Sequence, residues 1–354
     1  MRIFIVAPDI FAGDAVGNHC LGLLRAARRL GWEAYAFAER FSGDVSSFEK
    51  LFEEITSEDL LVVSYSIYDP NLEKLLTFRG RKICYFHGVT TPGLLEQFEP
   101  VTAALCERSY QQFRLLKGFD RVLANSSWTA QILPFFSEEK IQVLPPVCSD
   151  MHFLKPEGSF ENIKNKREMS DSLNLLAVGR IVPHKRIEDF IQLVSELSAI
   201  VDNVKAKIVG SAPNQIYFNL LIEMTERLGL KHKIDFTGTI DEKALLQSYE
   251  EADVLVSCSH HEGFCVPVLE AMHLGVPVFV REGTAATELG GKAIRVFHDI
   301  FDARKSLLSF YRHPSIQREM AAGGKERAAE ILAMVSDDVL DNLFREMSLV
   351  QSDS

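Results

Sequence analysis

Short apolar runs alternate with amphipathic stretches almost throughout the chain, and the alternation falls into two series. In the first, the runs Arg2–Ala7, Ala34–Ala38, Leu60–Tyr65, Lys82–His87, Arg121–Asn125 and Ile141–Leu144 have the length and residue types of buried strands. Between them the spacing predicts helices, most clearly over Gly17–Leu30 and Thr102–Leu116. In Gly17–Leu30 the side chains of Leu21, Leu24 and Leu30 fall near one face, with Arg25, Arg28 and Arg29 largely elsewhere. The second series places strands at Leu173–Val178, Ala206–Val209, Ile234–Thr237, Val254–Cys258, Val276–Val280 and Ala293–Val296. Helices are predicted over Ile187–Ile200 and Gln215–Leu228, and Ile316–Met347 reads as one long helix-prone stretch. Such alternation implies right-handed crossovers and mostly parallel sheets covered on both faces.

Between the two series, Lys155–Ser172 is polar, charge-mixed and aperiodic, the mark of a linker. The expected organisation is a doubly wound domain over 1–155, a linker over 156–172, a second doubly wound domain over 173–325 and a helical segment over 326–354. Ligands of open parallel sheets bind beyond the carboxyl ends of strands. Two such halves make the cleft between them the expected site, and candidate residues should lie just after strands.

Composition narrows the classes. With 47% hydrophobic and 25% charged residues, 21 glycines and 13 prolines, the chain is neither collagen-like nor disordered throughout. The net charge of -11 argues against general nucleic-acid binding, yet leaves room for a local basic pocket around one phosphate ligand. No apolar run approaches the ~18 residues of a membrane span. The apolar start is too short for a signal peptide and reads as a first strand. Six cysteines without a C-x-x-C pair are then expected to be reduced core thiols in a cytosolic protein.

Two stretches just after strands carry candidate chemistry. The segment His260-His261-Glu262-Gly263-Phe264-Cys265-Val266-Pro267 follows the strand Val254–Cys258. Pro267 suits the first turn of a helix, leaving the amides around Gly263–Val266 as donors for an anion such as a diphosphate. Glu262 and Glu270 could accept hydrogen bonds from sugar or ribose hydroxyls, or merely favour the helix start electrostatically. The second stretch, Gly179-Arg180-Ile181-Val182-Pro183-His184-Lys185-Arg186, follows the strand Leu173–Val178. Its Arg180, Lys185 and Arg186 read as a phosphate pocket or as a solvated basic turn. Cys258, His260, His261 and Cys265 could be metal ligands, but their spacing matches no common zinc pattern, and no metal is expected.

Together these stretches resemble glycosyltransferase family 4, retaining nucleotide-sugar glycosyltransferases with the GT-B fold. The resemblance rests on His-Glu-Gly-Phe-x-x-Pro-x-x-Glu-Ala and on Gly-Arg-x-x-x-x-Lys about 80 residues earlier, and it extends in order over nearly the whole chain. It implies an α/β, GT-B type fold with two doubly wound Rossmann-like domains facing a central cleft, and a C-terminal helical segment over 326–354 packing back on the N-terminal domain. By position, Glu270 resembles the glutamate that holds the nucleotide ribose and Glu262 the one near the donor sugar. Arg180 and Lys185, after Gly179, resemble the pair that grips the diphosphate. Gly263 and Phe264, with Cys265 and Val266 beside them, would supply backbone contacts.

The loop Pro8–His19 resembles the family loop that approaches donor phosphates and sugar. The common form has paired glycines, whereas here Gly13 is followed by Asp14, which reads equally as a helix N-cap. It also lacks G-x-G-x-x-G, which weakens a nicotinamide-binding reading. His87 resembles the family histidine that faces the donor sugar, although a lone histidine after a strand is more often structural. Asn125 and Ser126 echo another family segment, with an N-cap role for Ser126 or Ser127 as the alternative. Gly210–Pro213 and Gly238–Ile240, including Thr239, either frame the nucleotide base or are ordinary turns.

The implied reaction moves a sugar from a UDP- or GDP-sugar to an acceptor hydroxyl with retention, in polysaccharide, glycolipid or glycoconjugate synthesis. Arg180, Lys185 and the helix start would stabilise the departing diphosphate, so no further cofactor is expected. The acceptor is a glycan or a lipid-linked glycan, and nucleic acid is not an expected partner. The arginines of Gly17–Leu30 leave open a peripheral contact of this otherwise cytoplasmic chain with the inner face of a membrane, against the reading of an ordinary solvated helix face. A nucleotide-sugar 2-epimerase and a non-catalytic sugar-nucleotide binding protein are the competing readings.

Overall fold

The computed structural model describes residues 1–133, 141–148 and 172–349. The linker expected over 156–172 lies outside the described residues except for Ser172. Two clusters of contacts divide the chain. The first unit takes the described residues of Met1–Val89, Ala104–Pro156 and Ile331–Ser354, and the second those of Thr90–Ala103 and Glu157–Glu330.

In the first unit the strands are β1 (Ile3–Val6), β2 (Ala34–Ala38), β3 (Leu60–Tyr65), β4 (Arg81–Phe86), β5 (Arg121–Ala124) and β6 (Ile141–Val143). They pair in parallel in the order β2-β1-β3-β4-β5-β6, with Ser46–Ser47 extending the edge beyond β2. Every residue of β1 and β3 is buried, as required of strands covered on both faces. The pairs Ser46–Ser47 and Asp9–Ile10 with Arg40–Phe41 are too short to leave an apolar signature in sequence.

In the second unit β7 (Ser172–Val178), β8 (Asn203–Val209), β9 (Ile234–Gly238), β10 (Val254–Ser257), β11 (Val278–Arg281) and β12 (Arg295–Phe297) form a second parallel sheet, in the order β9-β8-β7-β10-β11-β12. The order reverses beside β7, where β8 lies on one side and β10 on the other. Ligands of open α/β sheets bind beyond the strand ends at such a point. The helix Ile187–Ser198 covers this sheet with Ile187, Phe190, Ile191, Val194 and Leu197 in the core.

One expectation is corrected. Thr90–Ala103, expected within the domain 1–155, belongs to the second unit. Phe98 packs its ring 5.1 Å from that of Tyr217, and its carbonyl accepts a hydrogen bond of 2.5 Å from Asn214 Nδ2. The helix-prone stretch Ile316–Met347 holds two helices, Pro314–Ala333 and Asp337–Leu349. The second of these buries Leu340, Leu343, Phe344 and Met347 in the core of the first unit. It is fastened there by Trp32 Nε1 donating to Asp341 at 2.8 Å and by the ion pairs Arg29–Asp337 and Arg121–Glu346.

Candidate functional site

In the second unit the candidate residues gather beyond the ends of β7 and β10. Gly179 leaves β7 with φ +141°, and Gly210 leaves β8 with φ +146°. A Cβ on Gly210 would stand 2.0 Å from the Gly179 carbonyl oxygen, so the two strand exits touch backbone to backbone. The chain then makes a short turn over Pro183–Lys185, and Arg186 takes a left-handed conformation at the start of Ile187–Ser198. This turn returns the Lys185 side chain over Gly179, whose added Cβ would lie 3.8 Å from the Lys185 Nζ.

Lys185 Nζ donates to both carboxylate oxygens of Glu262, at 2.7 and 2.8 Å. Ser259 Oγ donates to the same carboxylate at 2.7 Å. Burial opposes ionisation of both partners, but each charge answers the other. Glu262 is held below the usual carboxylate range, and Lys185 above the usual amine range. Arg180 is exposed and makes no ion pair among the described residues; with Lys185, Ser257, Ser259 and Cys265 it lines a narrow pocket over the strand ends. Arg186, read from sequence as a third phosphate cation, turns instead to Glu188 and Asp189 at 2.7 and 2.9 Å.

The helix after β10 is Val266–His273, with Cys265 capping it at φ +76° and Pro267 in its second position. The amide of Val268 bonds to the Cys265 carbonyl at 3.0 Å, while no acceptor meets the amides of Phe264, Cys265 and Val266 among the described residues. Phe264 is buried and Val266 half-buried. Glu270, a turn into this helix, is buried and accepts from Tyr249 Oη at 2.5 Å. Burial raises its pKa to about 7, with the tyrosine hydroxyl only partly opposing and Glu242 adding to the rise. The two glutamates eight positions apart are therefore unlike: one is a charged anchor, the other a carboxyl poised near neutrality.

Thr239 is exposed just beyond β9, outside the pocket around Lys185. Among the described residues no group of three or more His, Cys, Asp or Glu side chains is placed to hold a metal ion, Cys258, His260, His261 and Cys265 included. His184 contributes a ring nitrogen, Nδ1, that is buried without a hydrogen-bond partner, and burial lowers its pKa to about 3.

The first unit holds a separate cluster. Asp14 is the N-cap of the helix Ala15–Arg29, its carboxylate accepting from Val16 N at 3.1 Å and Gly17 N at 3.3 Å. Gly13 stands at φ +89°, and its amide donates to Asn18 Oδ1 at 2.9 Å. His87 shares a hydrogen bond of 2.6 Å between its Nε2 and Ser64 Oγ, and its carbonyl accepts from Asn125 Nδ2 at 3.1 Å. Burial lowers the His87 pKa to about 3, so the ring is neutral. His19 stacks on Tyr85 at 3.9 Å and meets the edge of His87 at 5.1 Å. Ser126 caps the short helix Ser127–Ala130 by a reciprocal bond with Thr129. Arg28 and Arg29 are engaged with Asp44 and Asp337.

Sequence reasoning missed Ser64, Ser259 and Tyr249. Ser64 sits near the carboxyl end of an otherwise apolar strand, and Ser259 three positions before Glu262, so the strand-end rule applied to every polar residue finds both. Tyr249 reaches Glu270 from another helix and leaves no local signal.

Residues 159–293 match the sequence family described as glycosyl transferases group 1. An uncharacterized glycosyltransferase of Methanocaldococcus jannaschii is 32% identical over 168 residues, 46% of this chain and 40% of the relative. The chain spans about half or less of the length of the curated relatives it matches first. Among solved structures, sucrose-phosphate synthase from Thermosynechococcus elongatus superposes with a TM-score of 0.75 at 16% identity, covering 99% of this chain and 100% of that one. Anabaena HepE in complex with UDP-glucose gives 0.71 at 18% identity, covering 98% and 100%. At these identities the likeness shows the fold, α/β and GT-B in type, with two Rossmann-like units. No described helix is long and apolar enough to cross a membrane.

Proposed function

We propose that the chain is a retaining glycosyltransferase of the family 4 kind, moving a sugar from a nucleoside-diphosphate-sugar to an acceptor hydroxyl. The observation that carries this reading is the Lys185–Glu262 pair set over Gly179, beside the exposed Arg180 and the unmet amides of Phe264–Val266. Breaking a glycosidic bond to a diphosphate puts negative charge on the leaving group, and preorganised positive groups there are often the largest catalytic contribution. The helix amides supply that field without rearrangement, and the exposed Arg180 adds its charge from the pocket lining. Lys185 supplies it too, held in place by Glu262. Glu262 also offers the remaining acceptor site of its Oε2 to a sugar hydroxyl, and Glu270 its carboxylate to the ribose. In the first unit the neutral His87, oriented by Ser64, is assigned to the donor sugar. Asp14 is spent on capping its helix and the Gly13 amide on Asn18, so the loop contributes its remaining backbone groups alone.

The acceptor oxygen forms the new bond to the anomeric carbon on the face from which the diphosphate departs, and its proton passes to the departing phosphate oxygen. The donor is a UDP- or GDP-sugar, and the acceptor a glycan or lipid-linked glycan. The matched Escherichia coli serotype-specific mannosyltransferase WbdA and the UDP-glucose complex of HepE support this class of substrates.

The test is a screen of UDP-, GDP- and ADP-sugars for thermal stabilisation, followed by product analysis with and without acceptors. A donor at 100 times its dissociation constant should stabilise the protein by about 2.7 kcal/mol. Transfer to an acceptor, lost in Glu262→Ala and Lys185→Ala, is the expected result. Conversion of the sugar nucleotide without any acceptor, or wild-type turnover in both variants, overturns the assignment.

A further inference from the structure

The amino-terminal halves of β7, β8 and β9 border a cavity of about 420 Å³, at the opposite end of the sheet from Gly179 and Lys185. That volume falls within the roughly 300–1,000 Å³ of small-molecule sites. Its lining is basic: Lys205 and Lys207 from β8, and Lys231, His232 and Lys233 from the approach to β9. In a chain of net charge -11 this is a local reversal of sign. The nearby acids offset only part of it. Lys207 pairs with Glu251 at 2.7 Å and Lys231 with Glu226 at 3.0 Å, and Asp235, opposite Lys207 in the sheet, adds a further negative charge to the lining. Lys205 and Lys233 have no ion pair among the described residues.

The sheet register sharpens the point. Ala206 stands opposite Ile234 and Lys207 opposite Asp235, so one step earlier Lys205 stands beside Lys233. The amide of Ala206 donating to the Lys233 carbonyl at 2.8 Å fixes that alignment. Neighbouring like charges across strands are destabilising unless an anion bridges them. Leu176 and Ala252 give the floor an apolar side against which lysine stems can lie.

We infer that this cavity binds a phosphate group, either of a small soluble anion or of an anionic lipid headgroup, held between Lys205 and Lys233 and supported by Lys207 and Lys231. The site does not depend on the reading of the catalytic residues. Lysine acetylation of the full chain, followed residue by residue by mass spectrometry, tests it at constant ionic strength. Three arms receive pyrophosphate, phosphatidylglycerol vesicles or phosphatidylcholine vesicles. At ten times the dissociation constant, occupancy should slow labelling of Lys205 and Lys233 about tenfold, and leave the exposed Lys50 and Lys305 unchanged. Protection by pyrophosphate alone identifies a soluble ligand; protection by phosphatidylglycerol but not phosphatidylcholine identifies a headgroup. The double variant Lys205→Gln/Lys233→Gln should lose protection at Lys207 and Lys231 while keeping its transfer activity. Unchanged labelling at Lys205 and Lys233 in all arms, or equal slowing at Lys50 and Lys305, overturns the proposal.

Discussion

Replacing Lys185 by methionine keeps most of the side-chain volume and removes only the charge that Glu262 answers. The Glu262 side chain is 7% exposed and that of Lys185 19%, so the pair belongs with buried ion pairs and not with surface ones. Removing one partner of a buried pair typically costs 3–5 kcal/mol, because the other charge is left desolvated. The residual exposure of Lys185 and the remaining bond from Ser259 place the expected loss near the low end, about 3 kcal/mol. Native-state hydrogen exchange read on β7 and β10 reports the second unit by itself, and about 3 kcal/mol corresponds to exchange faster by roughly a hundredfold. The double variant Lys185→Met/Glu262→Gln should lose less than the single one, since no charge is stranded. The pH dependence should also change sign. In the wild type the depressed pKa of Glu262 contributes stability that is present above its unfolded value and lost as pH falls through the folded one. In Lys185→Met, burial, the largest influence on Glu262, is opposed mainly by the Ser259 hydrogen bond, so the carboxyl binds its proton more tightly when folded and stability falls as pH rises from the unfolded value. Exchange accelerated by less than about threefold, with an unaltered pH slope, would refute the reasoning.

Glu270, with its pKa at about 7, keeps a proton in the folded state over a range where the unfolded chain has lost it. Its contribution to stability therefore declines by about 3 kcal/mol between pH 4.5 and 7; Glu270→Gln should flatten that decline in thermal unfolding measured at pH 5 and pH 8. Gly210→Ala places a methyl group against the Gly179 carbonyl at a backbone angle that side chains rarely adopt. A loss of about 2–4 kcal/mol is expected, together with weaker nucleotide binding in calorimetry. Ser64→Ala removes the 2.6 Å hydrogen bond to His87 and should cost about 1 kcal/mol. If His87 faces the donor sugar, kcat in a transfer assay falls while unfolding by heat changes little.

What could be read from the chain follows from how locally each feature is encoded. Buried parallel strands announce themselves as apolar runs, and Ala34–Ala38 and Leu60–Tyr65 fall where their patterns place them. The motif glutamates were visible because a strand end and a helix start separated by a few residues must lie close together. Tyr249 was not visible, since its approach to Glu270 depends on how two helices pack. Neither was the attachment of Thr90–Ala103 to the second unit, which rests on Phe98 meeting Tyr217 and Asn214 more than a hundred positions away. The division of Ile316–Met347 into two helices was obscured for another reason: its composition is helix-prone throughout, and the short Ser336-Asp337-Asp338 helix start is the local mark of the break.

The charge states of the two glutamates follow from partners on different elements, and this bears on what each can do. Glu262 meets an ammonium and a hydroxyl, so it stays ionised and its oxygens are largely occupied. Among the described residues Glu270 accepts a side-chain hydrogen bond only from a phenol, so desolvation prevails and the proton is held to about pH 7. Carboxyls driven apart in this way take different roles. A fixed carboxylate holds a cation in register, whereas a carboxyl near its midpoint exchanges its proton when a ligand offers better donors. A ribose diol brings two hydroxyl donors, which favour the ionised form. On the proposed reading, nucleotide binding near neutral pH is thereby coupled to proton release from Glu270, a coupling that Glu262, already ionised by Lys185, has no proton to supply.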